Sequence, residues 1–243
     1  MTDGGSGPAI SPAVVDKFKP IECAQVADVH RLLGLGCVLQ GLYPLRPESR
    51  ICGPALTIRQ VPLQDRRRWD LQETSIIELI QSAQAGTVIV IDAGGRLDVS
   101  AGFGGNAATL AVQRQLGGIV IDGACRDSAA IIDTGFPTFV RGTTHPPSHG
   151  VYRATCINSE PIQLGSGAAA ISVGPGDLVL GDRDGIVIVP VSRAVEVLAL
   201  AQERQEVDLE IRELLASGRG PEDRTFQELR SRARRLQGLS TTD

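Results

Sequence analysis

An arginine and an aspartate stand side by side shortly after an apolar segment of the chain. Ile119–Ile121 is predicted to be a buried strand, and Asp122-Gly123 is a strong turn signal that should end it. Arg126 and Asp127 follow this turn. Arginine offers a planar fork for a carboxylate, and aspartate offers a hard oxygen ligand for Mg²⁺ or Mn²⁺. The pair is therefore a candidate site for an oxyacid and a metal ion, with an ordinary surface ion pair as the alternative.

A second candidate element is a glycine-rich loop in front of a predicted helix. Gly102, Gly104, Gly105 and Asn106 precede the helix predicted over 107–116. Glycines let the backbone approach a ligand, and the first free N–H groups of a helix bind anions. The loop does not complete the dinucleotide-binding fingerprint, because alanine stands at position 107 in place of the third glycine. It is not a P-loop either, because no Gly-Lys-Ser/Thr follows it. The loop indicates a carboxylate or phosphate site, or else tight packing between loop and helix.

Together these two loops could position a 2-oxo acid. Its carboxylate would meet Arg126 and the loop amides, and a metal on Asp127 would act as a Lewis acid toward a pyruvate enolate. Both cleavage of a C–C bond beta to the carbonyl and loss of CO₂ from oxaloacetate pass through that enolate. The pattern thus predicts Arg126 and Asp127 as catalytic residues of a lyase.

Composition limits the class of protein. The chain has 243 residues, of which 42% are hydrophobic and only 3% aromatic, so the core must be aliphatic. A formal charge of −4 argues against direct nucleic-acid binding. No apolar run is long enough for a bilayer, and the first residues do not resemble a secretory signal. The five cysteines are widely spaced and form no C-x-x-C pair, which favours buried thiols in a cytoplasmic protein.

The pattern of elements predicts an α/β fold. Residues 1–11 form a flexible leader, 12–218 a single domain, and 219–243 a charged tail that can form a helix. Helices alternate with apolar strands from about residue 73 to 135, which predicts parallel strand pairs. The following part is mostly β, with segments at 154–164 and 168–173 and a hairpin around 181–185. A long helix runs from 192 to about 216.

Several motifs in a fixed order resemble those of the RraA-like proteins and 4-hydroxy-4-methyl-2-oxoglutarate aldolases, the class II pyruvate aldolases. The resemblance covers roughly residues 22–216. The first motifs are Gly104-Gly105 before a helix and the Asp-Gly-x-x-Arg-Asp element that starts at Asp122. The later motifs begin at Gly135, Val173 and Gly181 and read Gly-Phe-Pro-x-Phe, Val-x-Pro-Gly-Asp and Gly-Asp-x-Asp-Gly.

The resemblance implies a β/β/α swivelling-domain-like fold with mixed sheets and flanking helices, assembled as a homotrimer or hexamer. It implies Asp127 as the protein ligand of Mg²⁺ or Mn²⁺. It implies that pyruvate contacts Arg126 and the backbone of Gly104, Gly105, Asn106 and Ala107, in a cleft between subunits. The family often has an acidic residue where this chain has Gly105, so the group that transfers the proton is not assigned.

Three functions follow as hypotheses. The first is a metal-dependent lyase of the 4-hydroxy-4-methyl-2-oxoglutarate aldolase type, with oxaloacetate decarboxylase activity. The second is an RraA-type regulator that inhibits ribonuclease E by protein contact, without catalysis. The third is a related lyase that uses the same site on a substrate derived from a sugar acid. Glu203 and Glu206 of the long helix are candidates for a second acid supplied to a neighbouring subunit, or else lie on a solvated helix face.

Overall fold

The computed structural model describes residues 10–36, 38–39, 41–62, 75–147, 152–167 and 170–240, so the predicted leader lies almost wholly outside them. The α-helices of these residues are α1 (Pro12–Phe18), α2 (Cys23–Leu33), α3 (Ile76–Ser82), α4 (Gly105–Gln113), α5 (Ser128–Thr134), α6 (Ala194–Ala216) and α7 (Arg224–Leu236). The strands are β1 (Val38–Leu39), β2 (Tyr43–Pro44), β3 (Ile51–Pro62), β4 (Val88–Asp92), β5 (Gly118–Cys125), β6 (Thr138–Thr143), β7 (Tyr152–Thr155), β8 (Ile162–Leu164), β9 (Ile171–Val173), β10 (Leu178–Asp182) and β11 (Gly185–Val189).

One mixed sheet organises the described part of the chain. Its order is β1-β11-β10-β3-β4-β5-β6-β2, and β7 pairs with the carboxyl end of β3. The four central strands, β3 to β6, are parallel to one another. Strands β8 and β9 form a separate antiparallel pair. The predicted parallel core is confirmed, as is the fold class of mixed sheets with flanking helices.

The central strands are apolar almost without interruption because both of their faces are covered. On one face, Ile89 and Ile119 pack with the helices α3, α4 and α5. On the other face, Val90 and Val120 pack with the apolar side chains of β8 and β9. This double burial fixes the position of the carboxyl end of β5, where the candidate residues follow.

Further helices cover the antiparallel end of the sheet. Helices α1, α2 and α6 bury apolar side chains against β10 and β11, among them Phe18, Val29 and Val197. Helix α7 packs on α6 through a small cluster that includes Val207 and Leu229. The predicted hairpin connects β10 to β11, with Asp182 paired to Gly185. The single β segment predicted over 154–164 is wrong, because β7 ends at Thr155 and β8 starts at Ile162.

None of the described helices is both long enough and apolar enough for a membrane crossing.

Candidate active site

Strand β5 carries the chain to the candidate residues. The predicted turn at Asp122-Gly123 is wrong, since β5 continues to Cys125 with a register shift against β6 between Ile121 and Ala124. A side chain at Gly123 would place its Cβ 2.9 Å from the Cβ of Ala93. The glycine is therefore required because β5 passes close to Ala93, and not for a turn.

Arg126 and Asp127 stand directly at the carboxyl end of this buried strand. Asp127 has a left-handed backbone conformation, with φ of 55°, and precedes the first residue of α5. Its carboxylate makes no capping hydrogen bond to that helix. The Arg126 Nε lies 3.4 Å from the Asp127 Oδ2, and the two side chains keep 42% and 49% of their surface exposed. The pair is thus neither buried under apolar side chains nor locked into helix capping.

The glycine loop lies against this pair. A Cβ on Gly104 would be 2.6 Å from the Asp127 Oδ2 and 3.4 Å from the Arg126 Cγ. The backbone N–H of Arg126 also donates to the carbonyl of Phe103, at 3.1 Å. The two loops that the sequence singled out separately are therefore adjacent, and the missing side chain at position 104 keeps the carboxylate accessible from that side.

Helix α4 begins within the same loop. Gly104 is in extended conformation before the helix, and the first helical hydrogen bond runs from the N–H of Ala108 to the carbonyl of Gly104, at 3.0 Å. The N–H groups of Gly105, Asn106 and Ala107 are the ones that a helix leaves without an intrahelical acceptor. An oxyanion between these amides and Arg126 would meet both hydrogen-bond donors and positive charge.

Position 105 has no room for a side chain. A Cβ on Gly105 would lie 2.8 Å from the Cβ of Ala130, in the first turn of α5. An acidic side chain there cannot be accommodated while Ala130 keeps its place. Glycine at position 105 thus reflects the close packing of α4 on α5 in this chain.

Sequence reasoning missed a buried ion pair beside the site. Asp122 is 1% exposed and accepts hydrogen bonds from the Arg141 side chain and from the N–H of Gly165, the latter at 2.6 Å. The pair ties β5 to β6 and to the segment that follows β8. The signal was present, because an aspartate in an apolar run needs a partner, but no local pattern indicates which arginine supplies it.

A second charged pair lies on the neighbouring strands. Arg59 of β3 donates to Asp92 of β4 over 3.3 Å, and Asp92 pairs in register with Asp122. Burial raises the pKa of Asp92, and the negative charge of Asp122 raises it further. On the other side of the loop, the Gln60 amide donates to the carbonyl of Ala101 at 2.8 Å. These contacts fix the segment between β4 and α4.

The glutamates predicted as a second acid for a neighbouring subunit lie on α6. Glu203 is held by Arg232 of α7, at 2.8 Å, and Glu206 is exposed. Burial raises the pKa of the Cys125 thiol to about 11, so this cysteine is protonated at neutral pH and is a poor nucleophile.

The donor set suits a hard cation that needs few protein ligands. Among the described residues no group of three or more His, Cys, Asp or Glu side chains is arranged to hold a metal ion. Mg²⁺ usually takes only one or two protein carboxylates and completes its coordination with water and substrate oxygens. The half-exposed Asp127 carboxylate, open on the side of Gly104, fits that requirement.

Fold and motifs define a member of one protein family. The profile of the RraA-like family, described as Aldolase/RraA, matches residues 14–188. The chain therefore belongs to this family, and the resemblance inferred from the motifs is confirmed.

One named relative and two solved structures are informative. A protein of Halalkalibacterium halodurans, named "Putative 4-hydroxy-4-methyl-2-oxoglutarate aldolase", is 32% identical over 196 residues, which cover 80% of this chain and 84% of that protein. A crystal structure titled as an uncharacterized protein from Pseudomonas syringae has a TM-score of 0.78 at 26% identity, covering 91% of this chain and 98% of the other. Streptomyces coelicolor RraAS2, described as an unusual member of the RNase ES inhibitor RraA family, has a TM-score of 0.72 at 25% identity and covers 85% and 99%.

Proposed function

We propose that this protein is a divalent-metal-dependent lyase that cleaves a pyruvate-derived 2-oxo acid. The substrate is of the 4-hydroxy-4-methyl-2-oxoglutarate type, and oxaloacetate is decarboxylated at the same site. The observation that carries the proposal is the close approach of the Gly104 loop to the Arg126–Asp127 pair at the carboxyl end of β5. The name of the Halalkalibacterium relative points to the same activity.

Arg126 and the start of α4 bind the 2-oxo acid. The substrate carboxylate pairs with the Arg126 guanidinium, whose contact with Asp127 at 3.4 Å leaves its terminal NH₂ groups available. The amides of Gly105, Asn106 and Ala107 donate to the remaining carboxylate oxygen. This binding fixes the orientation of the keto group relative to Asp127.

Asp127 holds Mg²⁺ or Mn²⁺. When bound, the metal ion supplies a Lewis acid that withdraws electrons from the keto group of the substrate. The Arg126 guanidinium beside it adds positive charge near the same oxygens, where negative charge increases as the C–C bond breaks.

The two reactions differ in their need for a base. In oxaloacetate the bond between C3 and the distal carboxylate breaks, and CO₂ leaves. The electron pair of the broken bond stays on C3, which then takes up a proton to give pyruvate. In 4-hydroxy-4-methyl-2-oxoglutarate the C3–C4 bond breaks in the same sense, but the proton of the C4 hydroxyl must also be removed. Only the second reaction requires a base, and Gly105 provides none.

The proposal includes the oligomeric state of the protein. A homotrimer, or a hexamer of two trimers, would place a neighbouring subunit over the half-exposed Arg126–Asp127 pair and could supply the missing base. Light scattering coupled to gel filtration tests the state directly. A protein that is monomeric at assay concentrations yet fully active contradicts the shared cleft.

Pyruvate release from oxaloacetate and from 4-hydroxy-4-methyl-2-oxoglutarate, with and without Mg²⁺ or Mn²⁺, tests the proposed activity. We expect metal-dependent turnover that Asp127→Ala abolishes. Asp184→Ala is the matched control, because Asp184 is an exposed aspartate in the β10–β11 turn, far along the chain from the site. Full activity of Asp127→Ala rules out the proposed role of this carboxylate.

A regulatory function is the second candidate, and the printed description of RraAS2 as part of an RNase inhibitor family favours testing it. If neither substrate is turned over with any divalent metal, inhibition of ribonuclease E by the purified protein becomes the decisive assay. Inhibition that persists in Asp127→Ala would indicate a regulator that acts through protein contact.

A further inference from the structure

A cavity of about 790 Å³ lies at the opposite end of the parallel strands from the candidate active site. It is bordered by Thr87 and Gly117, which directly precede β4 and β5, whereas Asp127 follows the far end of β5. Because β5 has eight residues at roughly 3.3 Å each, about 25 Å separates the two sites. This cavity is therefore not part of the 2-oxo acid site.

The walls of the cavity are largely aliphatic. Helix α1 covers one side, and the start of β3 and the end of β10 form the other. Apolar side chains from these elements and their flanks line it. Ile10 and Val15 keep exposed surface, and Phe18, Ile21, Ile51 and Leu180 are buried behind them. A volume of this size lies within the roughly 300–1,000 Å³ that is typical of small-molecule pockets.

Glycines keep the floor of the cavity open. The turns before β4 and β5 approach so closely that a Cβ on Gly117 would lie 2.6 Å from the carbonyl oxygen of Gly86. The N–H of Gly86 donates to the carbonyl of Gln115, and that of Gly117 to the carbonyl of Thr87, both at 2.8 Å. A Cβ on Gly86 would meet no atom within 4 Å. Gln84, Thr87 and Gln115 of these turns border the cavity, whereas Gly86 and Gly117 add no side chain to it.

Arg50 gives the described lining of the cavity an unneutralised positive charge. Arg50 is exposed, donates to the carbonyl of Ile21 at 2.7 Å, and takes part in no ion pair with a described residue. By contrast, Lys19 at the same cavity is neutralised by Asp16, at 2.7 Å. The positive charge of Arg50 acts on the thiols of Cys23 and Cys52, which also line the cavity. Arg50 thus borders the cavity together with these thiols.

We infer that this cavity binds an amphiphilic monocarboxylate, with the aliphatic part against the walls of α1 and β3 and the carboxylate on Arg50. An apolar site with one unneutralised guanidinium is complementary to such a molecule. A neutral or cationic amphiphile would leave Arg50 without its anion, so charge sets the specificity. The inference is independent of the proposed lyase activity.

Isothermal titration of the full-length protein with decanoate tests the inference, with decylamine and decanol as probes of charge. We expect saturable binding of decanoate only, weakened about tenfold or more in Arg50→Gln. Arg153→Gln is the matched control, since Arg153 is an exposed arginine on β7 without an ion pair to a described residue. Val15→Trp should abolish binding by filling the cavity, and Asp127→Ala should leave binding unchanged.

Three results would overturn the inference. They are the absence of saturable decanoate binding, equal affinity for decylamine, and equal affinity of the wild type and Arg50→Gln. Circular dichroism and thermal melts of each variant establish that lost binding is not lost folding. Because the readout is affinity rather than turnover, an inactive enzyme that still binds decanoate would refute only the lyase proposal.

Discussion

Replacing Gly104 by alanine should disable the site without changing either charged residue. The new Cβ would lie 2.6 Å from the Asp127 Oδ2, whereas an ordinary contact begins at 3.4 Å. The carboxylate must therefore withdraw by about 0.8 Å, the difference between these distances. The Cβ lies 3.4 Å from the Arg126 Cγ, so the arginine does not have to move.

The expected effects on activity and on stability have opposite signs. A misplacement of about 1 Å in a catalytic group costs roughly 100-fold in rate, so turnover should fall by about two orders of magnitude. Gly104 has an extended backbone, which alanine adopts freely. Restricting the unfolded chain should then stabilise the fold by about 0.4–1 kcal/mol, and rotation of an exposed carboxylate offsets little of that gain.

Pyruvate release from oxaloacetate at saturating Mg²⁺ measures the first effect, and urea unfolding measures the second. Gly220→Ala is the matched control, because a Cβ at Gly220 meets nothing within 4 Å. The reasoning is refuted if Gly104→Ala retains wild-type turnover. It is also refuted if activity and stability fall together, since the loss would then come from the fold.

Three further predictions concern the packing around the site and the core. Gly105→Asp should destabilise the protein, because the new Cβ would lie 2.8 Å from the Cβ of Ala130. Adding Ala130→Gly should recover folding. The double variant should also raise the rate of aldol cleavage relative to that of decarboxylation, as measured by the ratio of the two turnover rates. Asp122→Asn should cost about 3–5 kcal/mol in urea unfolding, because it leaves the guanidinium of Arg141 without its buried partner; a loss below 1 kcal/mol contradicts this. Burial lowers the pKa of His30 from 6.5 to about 4, so its stabilising contribution is present above pH 6.5 and is lost as the pH falls toward 4. The free energy of unfolding of the wild type should fall by about 2 kcal/mol between pH 7.5 and 5.0, and that of His30→Leu should not show this fall. Equal pH profiles of the two proteins in urea unfolding would show this to be wrong.

Sequence patterns predicted the elements that local signals control. The β-branched runs of β4 and β5 indicated strands buried on both faces, and the glycines before α4 marked the start of that helix. Arg126 and Asp127 were selected as candidates because the end of an apolar strand is a strong local signal, and the structure places them at that end. The joint contact of Arg126 and the glycine loop with one substrate carboxylate was predicted, but the close approach of Gly104 to Asp127 was not, since it depends on how α4 packs beside β5.

The errors have a common physical origin in long-range contacts. Asp122-Gly123 has the composition of a turn, but Arg141 satisfies the aspartate and Ala93 requires the glycine, so the strand continues. Both partners are distant in sequence or lie on another strand. The arginine that neutralises Asp122 and the alanine that excludes a side chain at Gly105 become visible only when the layers are assembled.

The central claim is that Arg126 and Asp127 hold a 2-oxo acid and a divalent metal together. A crystal grown with Mn²⁺ and oxalate, a mimic of the pyruvate enolate, locates both by the anomalous signal of manganese. We predict manganese on the Asp127 carboxylate, with oxalate between Arg126 and the first amides of α4. Well-occupied manganese and oxalate elsewhere, with the Asp127 carboxylate free, would contradict the account.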